Sequence, residues 1–225
     1  MSNDAIASAW NDVTARIVRA APNGGVTLVA VGKTHPPEAI RALAACGARA
    51  FGENYVQEAL AKQAALADLA LEWHAIGPLQ SNKAREVAEH FDWLQTLDRA
   101  KLIPLLARHR PPERGRLQVL VQVNVDDEAS KSGCRPDEVG VLAAAVAAEP
   151  RLRLRGLMAI PAPTPARERR RAAFDRMRAL FDALRAEHAQ VDTLSMGMSD
   201  DFELAIAAGA TMVRVGTLLF GARTT

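Results

Sequence analysis

Three short segments of the chain carry residue types that could do chemistry together. The first, Val29-Ala30-Val31-Gly32-Lys33-Thr34, ends an apolar run on a lysine. Most lysines are solvated surface groups. At the mouth of an apolar barrel, desolvation instead favours the uncharged amine, which is a nucleophile toward an aldehyde. Only five of the 28 basic residues are lysines, so a lysine here, where arginine would serve for charge alone, points toward amine chemistry. The second segment is Ser195-Met196-Gly197-Met198-Ser199-Asp200-Asp201. Gly197 permits a tight turn, and Ser199 can cap a following helix whose unpaired N–H groups attract anions. An ordinary N-cap explains the same residues, and Asp200 and Asp201 would repel a phosphate unless they face away. In the third, Val213-Arg214-Val215-Gly216-Thr217, strand alternation sets Arg214 on the face opposite Val213 and Val215. Inside a barrel that guanidinium needs an acceptor, and a neighbouring carboxylate would serve as well as a ligand. Gly216 and Thr217 could then offer N–H groups and a hydroxyl to phosphate at the strand end.

Positioning these segments requires a repeated strand–helix grammar. Asp4 to Ala20 has helical spacing, with Ile6, Trp10, Val13 and Ile17 on one face, and predicts a preliminary helix. Strands are expected at 26–31, 48–51, 72–76, 93–97, 117–125, 152–160, 193–196 and 212–220. Helices are expected between them, at 38–46, 55–69, 82–90, from about Arg99, at 136–148, 167–189 and 200–208. Parallel neighbours need crossovers, and eight such units predict a single-domain (β/α)8 TIM-type barrel with an extra N-terminal helix. An open doubly wound sheet is the alternative. Either fold gathers functional residues at the carboxyl ends of the strands, where Lys33, Met198, Ser199, Gly216 and Thr217 are expected.

Composition narrows the function classes. With 225 residues, 49% apolar and 24% charged, the chain can fill one large core. A net charge of +2 gives no strong field for nucleic acid or an anionic membrane. The run Arg167, Arg169, Arg170, Arg171 reads as the solvated face of a helix whose Phe174, Met177 and Phe181 turn to the core. Cys46 and Cys134 form no C-x-x-C pair, and the five histidines lack metal-binding spacing, so no metal site is expected. The mixed polarity of residues 1–20 is unlike a secretory signal, and charged residues interrupt every apolar run; a cytoplasmic, soluble protein is expected. His74 reads better as a hydrogen-bonded core histidine than as a group beside a ligand. Tyr55, the only tyrosine, reads as a packing residue.

Taken together, the segments resemble the pyridoxal phosphate homeostasis protein family, the YggS/PROSC group. The matching pieces are Ala30–Thr34, Phe51-Gly52-Glu53-Asn54-Tyr55-Val56-Gln57-Glu58, His74–Lys83, Val123-Asn124-Val125 with Ser130-Lys131-Ser132-Gly133, Gly156–Pro161, Leu194–Asp201 and Met212–Arg223. The resemblance covers nearly the whole chain in the family's order. It implies a barrel like the N-terminal domain of alanine racemase, with pyridoxal 5′-phosphate (PLP) held as a Schiff base on Lys33. It implies a phosphate held around Met198, Ser199, Gly216 and Thr217, Arg214 near the pyridine nitrogen, and Asn54 lining the ring. Lys131 matches a lysine proposed in the family to influence cofactor transfer; a solvated loop lysine is the plainer reading, and no transfer role is assigned to Lys83. The chain departs from the commonest pattern with Gly32 where serine is usual and His35 where a second lysine often follows, so a transfer step through that second lysine is not expected.

Site chemistry separates a carrier from an enzyme. Arginine keeps its proton, so a pyridine beside Arg214 would stay unprotonated and act as a weak electron sink. A PLP carrier in vitamin B6 homeostasis, buffering the cofactor or delivering it to PLP-dependent apoenzymes, is therefore expected, with a monomer as the expected state. The alternative is a racemase-like amino-acid enzyme, which in this fold class takes its second proton donor from an additional β domain, for which the sequence shows no segment.

Overall fold

The computed structural model describes residues 2–126, 132–162, 164 and 166–221. Eight parallel strands close into a barrel in chain order: β1 (Thr27–Val31), β2 (Ala50–Glu53), β3 (Glu72–Ala75), β4 (Trp93–Leu97), β5 (Leu117–Gln122), β6 (Leu152–Met158), β7 (Thr193–Ser195) and β8 (Met212–Val215). Closure runs through β1 and β8, which pair from Thr27 opposite Met212 to Ala30 opposite Val215. The closed barrel, and not an open sheet, is the architecture.

Helices surround it: α1 (Asn3–Ala20), α2 (Pro37–Ala45), α3 (Val56–Ala65), α4 (Ala84–His90), α5 (Ile103–His109), α6 (Val139–Ala147), α7 (Arg167–Glu187), α8 (Phe202–Ala207) and the single turn α9 (Thr217–Phe220). The Ser2 side chain caps α1 by accepting from the Ala5 amide, and Ile6, Val13 and Ile17 are buried along one stripe. That stripe seats α1 against α2, α8 and α9, with Arg16 reaching Glu203 through both carboxylate oxygens at 3.0 and 2.9 Å. On α7 the arginine-rich start is solvated or ion-paired, Arg171 with Asp175 and Arg170 with Asp201, while Phe174, Met177 and Phe181 are buried.

A large apolar layer lies between strands and helices, and a smaller cluster of Val29, Ala50, Trp93, Leu120, Met158 and Met212 fills the barrel. Among the described residues, no helix is long and apolar enough to cross a membrane.

Several expected boundaries move. The last strand was expected to reach Phe220 but stops at Val215, because its partner β1 has ended at Val31 and no neighbour remains to accept a ladder. The chain turns at Gly216 instead, and α9 buries Leu219 and Phe220. Helix α3 ends at Ala65, not Leu69, and Leu69 and Leu71 pack against the main core from the following turn.

Candidate functional site

At the carboxyl ends of β1, β7 and β8, one cavity of about 240 Å³ is lined by Val31, Lys33, His35, Met198, Ser199, Asp200, Arg214, Gly216, Thr217 and Gly221. Six of the seven residues singled out from the sequence meet there: Lys33, Met198, Ser199, Arg214, Gly216 and Thr217. Asn54 follows β2 at the same end of the barrel but outside that lining. Its backbone is wedged against the next loop, where a Cβ on Gly77 would lie 2.1 Å from the Asn54 carbonyl oxygen. Lys131 lies outside the described residues. Lys83 donates to Glu86 at 3.2 Å, one turn away, and is not in the lining.

Arg214 does point inward and is 3% exposed. Its acceptors are neutral: Nη1 donates to the Ser195 hydroxyl at 2.6 Å and Nη2 to the Ala159 carbonyl at 2.9 Å. Burial lowers its pKa to about 10, opposed by the field of Asp201, so it remains charged at neutral pH. The Ser195 hydroxyl, accepting from Arg214, donates to Gln95 Oε1 at 2.7 Å, and Gln95 Nε2 lies 2.9 Å from His74 Nδ1. His74 Nε2 then meets Glu72 at 2.8 Å, and its ring stacks on Trp93 at 5.2 Å. If the Gln95 amide donates to Nδ1, His74 carries its proton on Nε2 and donates to the carboxylate. His74 is thus a hydrogen-bonded core histidine, linked to Arg214 through two side chains. This polar line through the barrel axis was not legible, because its members sit 19 or more residues apart except for Glu72 and His74.

The β7–α8 segment differs from the expected cap. Helix α8 starts at Phe202 with Asp201 in the N-cap position, so Ser199 is not its cap. The Asp201 and Phe202 amides both bond to the Met198 carbonyl, and Asp201 Oδ1 accepts from the Met198 amide at 2.7 Å. That tight turn holds Ser199 at the cavity and draws Asp201 toward Met198 and Arg170; Asp200 remains in the lining. Gly197 at φ 92 makes the approach feasible, since a Cβ there would lie 2.5 Å from that of Ala205. Tyr55, expected to pack, precedes α3 and is instead 64% exposed, because the buried face of that helix is made by Ala59 and Lys62.

A buried ionic cluster that the sequence pattern does not mark lies against the Lys33 turn. Lys62 on α3 and Glu53 at the end of β2 are 4% and 1% exposed and paired at 2.8 Å. Burial raises the Glu53 carboxyl to about 7, with Lys62 opposing the shift. A Glu and a Lys four apart on a helix normally mark a solvated face, so Glu58 and Lys62 gave no signal.

Comparison with known proteins agrees with the barrel fold. Residues 4–224 match the family model of the alanine racemase N-terminal domain. A pyridoxal phosphate homeostasis protein of Pseudomonas aeruginosa is 56% identical over 216 residues, spanning 94% of this chain and 93% of its own. The protein of that name from Escherichia coli K12 is 54% identical over 201 residues, 88% of this chain and 86% of its own. PipY of Synechococcus elongatus PCC7942, solved with PLP bound, superposes with a TM-score of 0.85 at 38% identity, covering 96% of this chain and all of its own. The chain belongs to the pyridoxal phosphate homeostasis protein family, built on the alanine racemase N-terminal barrel.

Proposed function

We propose that the chain binds PLP through a covalent link to Lys33 and serves vitamin B6 homeostasis as a cytoplasmic monomer, buffering the cofactor or handing it to apoenzymes. The observation that carries this reading is the meeting of Lys33, Arg214 and the Met198–Ser199 and Gly216–Thr217 segments around one cavity. The donor set fits the cofactor. Lys33 brings an amine, able to condense with an aldehyde as water leaves. Ser199 and Thr217 bring hydroxyls, and the first N–H groups of a helical turn such as α9 have no partner within it, which suits a phosphate. Arg214 is held by neutral acceptors, so its charge is left to face an electron-rich ring atom. Asn54 is assigned to the ring's edge from the neighbouring strand end. PipY, a relative with PLP bound, supports the assignment. Both cysteines are free thiols, in keeping with a reducing compartment.

The bound cofactor would supply a reactive aldehyde and an electron-withdrawing ring. What the protein adds favours storage over turnover. Arg214 keeps its proton at neutral pH and spends two donors on Ser195 and Ala159, so it does not protonate a neighbouring nitrogen. Mixing the PLP-loaded protein with a PLP-dependent apoenzyme should restore the acceptor's activity, while L- and D-amino acids incubated with the loaded protein alone keep their optical rotation. Sustained amino-acid conversion without an acceptor would contradict the carrier reading.

A further inference from the structure

Lys33 sits in a turn that its own sequence disfavours. The His35 amide bonds to the Gly32 carbonyl at 3.0 Å, closing a four-residue turn with Lys33 and Thr34 at its centre. Thr34 has φ 67 and is the one non-glycine among the described residues with positive φ. A β-branched residue resists that conformation, and such strain persists only where the surroundings over-determine it. Here the surroundings are two side chains of α3. Glu58 Oε1 accepts from the Thr34 amide at 2.6 Å, and Lys62 Nζ donates to the Gly32 carbonyl at 2.7 Å. The two are joined to each other at 2.6 Å, and Lys62 gives its third donor to Glu53 at 2.8 Å. All three ammonium protons are used, and the backbone on each side of Lys33 is tied to one helix.

Burying such a cluster is costly, and an apolar replacement is often as stable, so stability alone is a poor account of it. We propose that Lys62 and Glu58 are positioning residues: by clamping Gly32 and Thr34 they fix the turn that presents Lys33 to the cavity, and so set how readily its amine is attached to cofactor. The inference rests on reading Lys33 as the attachment residue, and predicts that loosening the clamp weakens covalent attachment while sparing the grip on the phosphate.

The test compares the whole protein with Lys62→Met and Glu58→Ala, each checked for fold by circular dichroism and thermal melting. PLP attachment is followed by the rate of borohydride-trapped adduct, and phosphate grip by the affinity for pyridoxine 5′-phosphate, which lacks the aldehyde. Trapping should slow by roughly tenfold to a hundredfold, the scale set by a misplaced reacting group, with pyridoxine 5′-phosphate affinity unchanged. Glu58→Gln, which keeps an acceptor for the Thr34 amide, should recover much of the rate. Equal trapping in wild type and a folded clamp variant would overturn the proposal, as would a parallel loss of both ligands. If Lys62→Met does not fold, the partly exposed Glu58 pair of variants decides. An adduct on a residue other than Lys33 in the wild type would instead refute the attachment reading.

Discussion

Lys33 and Arg214 were legible because strand ends and strand alternation fix where they sit. The partners that hold them were not. Arg214 is satisfied by a serine on β7 and a carbonyl after β6, and the Lys33 turn by side chains 24 and 30 residues away. Gly32, which departs from the serine usual in the family, sits in a tight place: a Cβ there would lie 2.8 Å from the Glu53 oxygen that receives Lys62. The phosphate assignment also belongs to single residues. Ser199→Ala and Thr217→Val should each weaken PLP binding by about tenfold, the worth of one hydrogen bond to a charged group. Equilibrium titration checks this, and unchanged affinity in both would move the phosphate elsewhere.

At the scale of elements, the alternation of apolar runs and helical spacing revealed all eight strands, and errors gathered where neighbours decide the end. Strand β8 stops when β1 stops, and α8 begins after a turn built by Asp201 on Met198. The first contact joins opposite ends of the chain, and the second, though only three residues apart, leaves no mark in the apolar periodicity. The loops after β2 and β3 show how closely these ends are fitted, with Gly77 against the Asn54 carbonyl. Gly77→Ala should therefore cost about 1–3 kcal/mol, as overpacking does. Chemical denaturation would show it as a lower midpoint; an unchanged midpoint would mean the two loops part without cost.

For the whole molecule, the buried carboxyl at Glu53 ties stability to pH. Its folded pKa of about 7 lies above the ordinary 4.5. Between those values the folded chain holds a proton that the unfolded chain has released, so this contribution falls as pH rises across the window and is flat above it. Glu53→Gln keeps an acceptor for Lys62 but cannot titrate, and should flatten that stretch of the stability profile measured by denaturant unfolding. An unaltered slope would place the titration on another group. Cofactor attachment turns on the chemistry of one amine in a closed barrel. Reduction of the PLP-loaded protein with borohydride, followed by peptide mass mapping, locates that attachment. A phosphopyridoxyl adduct is expected on the peptide containing Lys33 and absent from Lys33→Ala. Labelling of another lysine, or an undiminished adduct in the variant, would contradict attachment at Lys33.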